Sequence, residues 1–136
     1  MESIDAEVQI EVSANLNISE SFEKVCLAIK NIFVGSSPVR QKEGVGFKSD
    51  SIGVLTRIHD YVRSKQTTSV ARRRLLRNLR GDETFLLFNR QAAFVGPIVI
   101  CDSDAESPLG GIRLTLKSPD ISKVIDWLAP RLDKGR

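Results

Sequence analysis

"TFLLFNRQAAFVGPIVIC", residues 84–101, holds two continuous apolar runs, 84–88 and 97–101, separated by eight residues. Neighbouring parallel strands need a crossover of a dozen residues or more, so a link this short favours an antiparallel arrangement. Runs that are apolar on both faces belong in the middle of a covered sheet or under a subunit contact. Just downstream, "GIRLTLK" (111–117) alternates instead, with Ile112, Leu114 and Leu116 on one face and Arg113, Thr115 and Lys117 on the other. That pattern is a half-buried strand. The first strand, in "AEVQIEVS" (6–13), repeats it with Val8, Ile10 and Val12 inward and Glu7, Gln9 and Glu11 outward.

Helices separate these strands. In "NISESFEKVCLAIKNIF" (17–33), Asn17 and Glu20 have capping-box spacing, and Phe22, Val25, Cys26, Ile29, Ile32 and Phe33 form one apolar stripe that Gly35 ends. "SPVRQKEGVGFKSD" (37–50) predicts a weak strand or hairpin. Asp50 or Ser51 then caps a helix to about Lys65, with Val54, Leu55, Ile58, Tyr61 and Val62 inward. A last helix is expected in "SPDISKVIDWLAP" (118–130), with Ser118 at the cap, Pro119 at its first position and Ile121, Val124, Ile125, Trp127 and Leu128 inward. The expected fold is α+β: one domain over residues 1–136, with a largely antiparallel or mixed sheet and helices packed on one face. Apolar surface on the second sheet face predicts a homodimer.

Composition narrows the function classes. Of 136 residues, 41% are hydrophobic and 27% charged, and no window is long and apolar enough to span a bilayer. The acidic start "MESIDAEVQIEVS" lacks an apolar signal core, and Cys26 and Cys101 sit in apolar segments as reduced thiols do, so a cytoplasmic protein is expected. A single histidine, His59, leaves no Cys/His zinc set, and it borders an apolar helix stripe as a core-edge residue does. Asp102, Asp104 and Glu106 alternate like a calcium loop, but Ser107 and Arg113 stand where such a loop needs glycine and glutamate. No metal or cofactor is expected, and with no activated nucleophile the chain is read as non-enzymatic.

Charge is more informative. Residues 57–90 hold nine Lys or Arg against Asp60, Asp82 and Glu83, a net of +6, while the rest of the chain carries −3. Within this segment, "SVARRRLLRNLRG" (69–81) has five arginines and no acid. On a helical wheel Ala71, Leu75, Leu76 and Leu79 share one apolar arc, while Arg73, Arg77 and Arg80 form a stripe beside it and Arg74 stands apart. Arg72 falls inside the apolar arc and therefore needs a partner. Like charges at this spacing repel by about 0.2–0.5 kcal/mol per pair, which an anionic polymer would relieve. The stripe is either a solvated face answered by acids such as Glu7 and Glu11, or a surface for structured RNA comprising Arg73, Arg77 and Arg80 with lesser contacts from Arg74 and Arg90. The few aromatic residues offer little sign of a base-stacking platform, so phosphate contacts would lead. A helix-turn-helix over 51–81 is disfavoured by a turn without glycine. The alternative is a small-anion-binding protein or enzyme in which Arg72, Asn89, Arg90, Gln91, Glu106 and Ser107 converge from the 89–91 and 106–107 loops.

The order "AR" (71–72), "RG" (80–81), "NRQAAFVG" (89–96), "ESPLGGI" (106–112) and "IDWLAP" (125–130), with the opening strand and "IKNIF" (29–33), resembles the archaeal uncharacterised protein family 0201. The resemblance implies an α+β fold similar in topology to the large-subunit ribosomal protein that binds 5S ribosomal RNA, assembled as a homodimer. It implies no activity.

Overall fold

The computed structural model describes residues 4, 6–42, 44–64, 67–103 and 110–131. Six strands, β1 (Gln9–Asn15), β2 (Val39–Gln41), β3 (Gly44–Ser49), β4 (Glu83–Phe88), β5 (Ile100–Cys101) and β6 (Ile112–Lys117), form one sheet in the order β2-β3-β1-β6-β4-β5. Every neighbouring pair is antiparallel. The helices are α1 (Phe22–Ile32), α2 (Thr56–Ser64), α3 (Thr68–Arg77), α4 (Arg90–Val95) and α5 (Ile121–Leu128), with a 3-10 turn at Ile52–Leu55 before α2.

Alternation decides which sheet face is covered. The register places Ile10 opposite Leu116 and Val12 opposite Leu114, and sets Leu114 opposite Leu86. These side chains and Phe88 are fully buried in one apolar cluster, to which all five helices contribute. Phe33 at the end of α1 stands edge-on to Phe47 of β3 (5.7 Å between centroids) and Phe88 of β4 (6.2 Å), joining the two halves of the sheet. Such edge-to-face pairs add roughly 0.5–1.5 kcal/mol to the burial of the rings. On the other face lie Glu11, Ser13, Lys48, Arg113, Thr115 and Lys117. The second face is thus mainly polar, with Phe85 half-buried and Leu87 buried, contrary to the apolar second face expected from the 84–101 runs.

Several local expectations shift. "NRQAAFVG" contains a helix, because the Asn89 side chain accepts from the Ala92 amide (2.9 Å) and Gly96, at φ 139°, releases the chain at the other end. Consequently only Ile100 and Cys101 pair with β4, and the second apolar run is a sheet edge rather than an interior strand. The "GVGF" stretch (44–47) of the expected hairpin is instead in an interior strand, between β1 and β2. Helix α1 starts at Phe22 with Ser21 accepting from the Lys24 amide (3.3 Å), while Asn17 and Glu20 form a separate turn. Ser118 accepts from the Asp120 amide (3.0 Å), so α5 begins two residues beyond Pro119. His59 is buried against Trp127 of α5, with ring centroids 4.4 Å apart, as a core-edge histidine. Cys26 and Cys101 are not joined in a disulfide, and burial raises the pKa of Cys26.

Gly44 and Gly46 of β3 both lie close to β1, and a Cβ at Gly46 would lie 2.1 Å from the Val12 carbonyl oxygen. Gly46→Ala should therefore lower unfolding free energy by about 2 kcal/mol or more in urea titrations. Gly53→Ala, whose added carbon would meet only the Ser51 hydroxyl at 3.6 Å, should be close to neutral.

Candidate nucleic-acid interface

Helix α3 is held by its apolar side and by its end. Ala71 and Leu75 are fully buried, and the buried Thr84 hydroxyl of β4 donates to the Leu75 carbonyl (2.6 Å). Leu79 is partly buried, whereas Leu76, expected in the stripe, is 48% exposed. The inward arc is therefore narrower than the wheel suggests, and the helix ends at Arg77. Asn78 caps it and donates from Nδ2 to the Phe85 carbonyl (2.9 Å). Gly81, at φ 62°, then turns the chain into β4, with Arg80 and Glu83 exchanging two backbone hydrogen bonds.

This docking sends the arginines to different places. Arg72, the residue inside the apolar arc, is largely buried and paired: its Nη1 lies 2.7 Å from Asp126 Oδ1 and 3.1 Å from the Ala129 carbonyl, both at the end of α5. Arg77 Nη2 lies 2.6 Å from Asp102 Oδ1, and Arg74 Nε lies 3.3 Å from the same oxygen. The hydrogen bond from Arg77 and its charge, with Arg74 and Arg73 adding smaller attractions, hold Asp102 below the usual aspartate range. Arg73 and Arg80 are exposed and have no ion pair among the described residues. Arg80 instead donates to the carbonyls of Leu79 (2.8 Å) and Arg77 (3.2 Å), where the negative end of the helix dipole favours a cation. Glu7 and Glu11 form none of these pairs; Asp102 and Asp126 supply the acids, and the 25- and 54-residue separations hid them from local patterning.

Arg90 does not belong to this surface. Its residue is 3% exposed, and its guanidinium bonds Glu20 Oε1 (2.6 Å), Asn15 O (2.8 Å), Asn15 Oδ1 (2.6 Å) and Gly111 O (3.2 Å). A guanidinium so enclosed cannot reach the phosphates of a polymer, which removes Arg90 from the basic set. The proposed polar cluster is likewise dispersed: Arg72 goes to α5, Asn89 caps α4, and Gln91 is exposed beside a cavity of about 480 Å³ between α1 and α4. Glu106 and Ser107 lie outside the described residues, as does Asp104. Among the described residues no group of three potential ligands could hold a metal ion, and no helix is long and apolar enough to cross a membrane.

The fold and site together define an α+β protein with a one-sided antiparallel sheet and an arginine-rich helix packed against β4. The chain belongs to the UPF0201 family. A UPF0201 protein of Metallosphaera sedula is 38% identical over 131 residues, spanning 94% of this chain and 92% of its own. One from Aeropyrum pernix is 34% identical and spans all of this chain and 94% of its own. No family model matches the chain. Among solved structures, the UPF0201 protein from Methanococcus jannaschii is similar at a TM-score of 0.75 and 25% identity, covering 94% of this chain and 97% of that one. A DUF54 protein from Methanothermobacter thermautotrophicus shares the fold at a TM-score of 0.66 and 17% identity, covering 91% of this chain and 99% of that one.

Glu20 and Arg90 give the region a pH dependence. Burial opposes the Glu20 charge, but hydrogen bonds from Arg90 and Asn17 and the charge of Arg90 outweigh it, so its pKa lies below the ordinary 4.5. A carboxylate depressed on folding contributes stability that is fully present above its unfolded value and is lost as pH falls through the folded value. Glu20→Gln should cost about 3 kcal/mol near neutral pH, since it leaves a buried guanidinium unpaired. In urea titrations the gap from wild type should narrow as pH falls below 4.5.

Proposed function

We propose that this protein is a non-enzymatic, cytoplasmic homodimer that associates with structured RNA through the outer face of α3. The observation that carries the reading is a charge imbalance. Arg73, Arg74, Arg77 and Arg80 lie along α3 and the turn after it, and the described residues set one carboxylate, Asp102, within pairing distance of any of them. Arg77 is half-exposed even while paired, and Arg73 and Arg80 are exposed. A polyanion crossing this face would relieve repulsion between the cations and release its own counterions. Contacts of this kind position a backbone without reading bases.

Dimerisation is supported by apolar side chains outside the sheet. Val95 (79% exposed), Phe94 (40%) and Leu27 (46%) lie on α4 and α1, and the fully exposed Ile18 precedes α1. The mainly polar open face of the sheet gives no such support. Two cysteines not joined in a disulfide fit a reducing compartment. A second reading, small-ligand binding, is favoured by the α1–α4 cavity, whose wall includes Lys24, Arg90, Gln91 and Phe94. Glu20 already neutralises Arg90 there, so the cavity fits a largely apolar ligand better than a small anion.

Two experiments test the main reading. RNA affinity should fall with salt at a logarithmic slope of about −2 to −3.5. Changing Arg73, Arg77 and Arg80 together to glutamine should flatten that slope, and Asp102→Asn should tighten binding; unchanged slopes in the triple variant would remove α3 from the contact. In light scattering, Val95→Asp should convert a species of twice the chain mass into one of the chain mass.

A further inference from the structure

We propose that the open face of the sheet holds a second contact, a site in which one unpaired nucleobase stacks on the guanidinium of Arg113. The inference rests on the reading of α3 as an RNA surface and extends it from phosphates to a base. Arg113 of β6 projects from the uncovered face, and its Cζ lies 3.8 Å from the centroid of the Phe85 ring on the adjacent β4. At that separation the planar cation rests on the ring, which fixes its orientation and restricts its rotamers. The Arg113 side chain is exposed and, among the described residues, has no hydrogen-bond or ion-pair partner. Its second planar surface is therefore available, and unstacked bases settle on arginine planes as they do on aromatic rings.

Beside this platform lies a cleft of about 430 Å³, bounded by Ser13, Asn15, Gln41, Gly110, Gly111 and Arg113. Among the described residues the Ser13 hydroxyl and the Gln41 amide make no side-chain hydrogen bond, whereas Asn15 Oδ1 is committed to Arg90. An amide and a hydroxyl present both donors and acceptors, as a base edge requires. Apart from Arg113 the described residues lining the cleft bear no charge, which suits a base better than a second phosphate. Phe85 connects the two contacts. Its side chain carries Arg113, and its carbonyl accepts from Asn78, the residue after Arg77. A strand whose phosphates lie along α3 thus has a base platform on the same residue that anchors the end of the helix.

The test compares an eight-nucleotide RNA with an abasic strand of the same length by fluorescence anisotropy. Wild type should prefer the base-bearing strand about tenfold. Arg113→Lys keeps the charge, removes the plane and, being exposed, should leave folding intact; it should abolish the preference without changing the salt slope. Equal binding of the two strands by wild type, or a preference that survives Arg113→Lys, overturns the base site. Glutamine at Arg73, Arg77 and Arg80 should weaken both strands alike and leave the preference, so failure of the α3 reading is seen separately. Adenosine 5′-monophosphate should shift the Arg113 Nε–H resonance in NMR titrations. No shift, or the same shift with inorganic phosphate alone, overturns the base site whatever α3 does.

Discussion

Burial of Ala71 and Leu75 against β4 determines where a row of arginines can go. Two small apolar contacts and the Thr84 hydrogen bond set the rotation of α3 about its axis. Rotation in turn sets which guanidiniums meet protein and which meet solvent. Arg72 is turned toward α5 and finds Asp126; Arg74 and Arg77 face the chain leaving β5 and share Asp102; Arg73 is left outward. Were the helix rotated by one residue, the buried face would hold a cation without a carboxylate, at a cost of several kcal/mol. The charge distribution of the surface is therefore a by-product of core packing, and it is as rigid as the core is.

Three ion-pair arrangements then divide the arginines by role. Arg90 and Glu20 are both nearly enclosed and bind the turn after β1, the start of α4 and the chain entering β6 into one unit. That pair organises the end of the sheet, and little of it is presented outward. Arg72 with Asp126 is intermediate, closing the junction of α3 with α5. Asp102 with Arg74 and Arg77 is the most exposed, and exposed pairs contribute little to stability because water screens them. A pair of that kind can give way to a stronger anion. The same element, guanidinium, thus serves structure where water is excluded and recognition where it is not.

The antiparallel sheet adds a surface of different chemistry. Covering one face with five helices leaves the other with short and charged side chains, and Phe85 survives there because Arg113 lies over it. The stack shields a ring from water and holds a cation flat. Helix and sheet face meet at β4, where Phe85 lies under Arg113 with its ring and accepts from Asn78 with its carbonyl.

By itself the amino-acid sequence determined the strands at β1 and β6, where alternation is unambiguous, the apolar strand β4, and the helices α1, α2, α3 and α5, whose apolar residues recur at helical spacing. It also showed that Arg72 must have a partner, because a charge within an apolar arc has no other solution. Tertiary structure decided the rest. "NRQAAFVG" became a helix because an asparagine cap and a glycine end outweighed its shortness, which moved β5 to the edge. Asp126, Asp102 and Glu20 were chosen as counter-charges over Glu7 and Glu11, and Arg90 was withdrawn into the interior. Arg113 and Phe85 lie 28 positions apart in sequence and are diagonal neighbours in the β4–β6 register. Periodicity along a chain reports which way a side chain faces within its own element. It carries no information about which other element comes to lie opposite, and ion pairs and stacks form only across that gap.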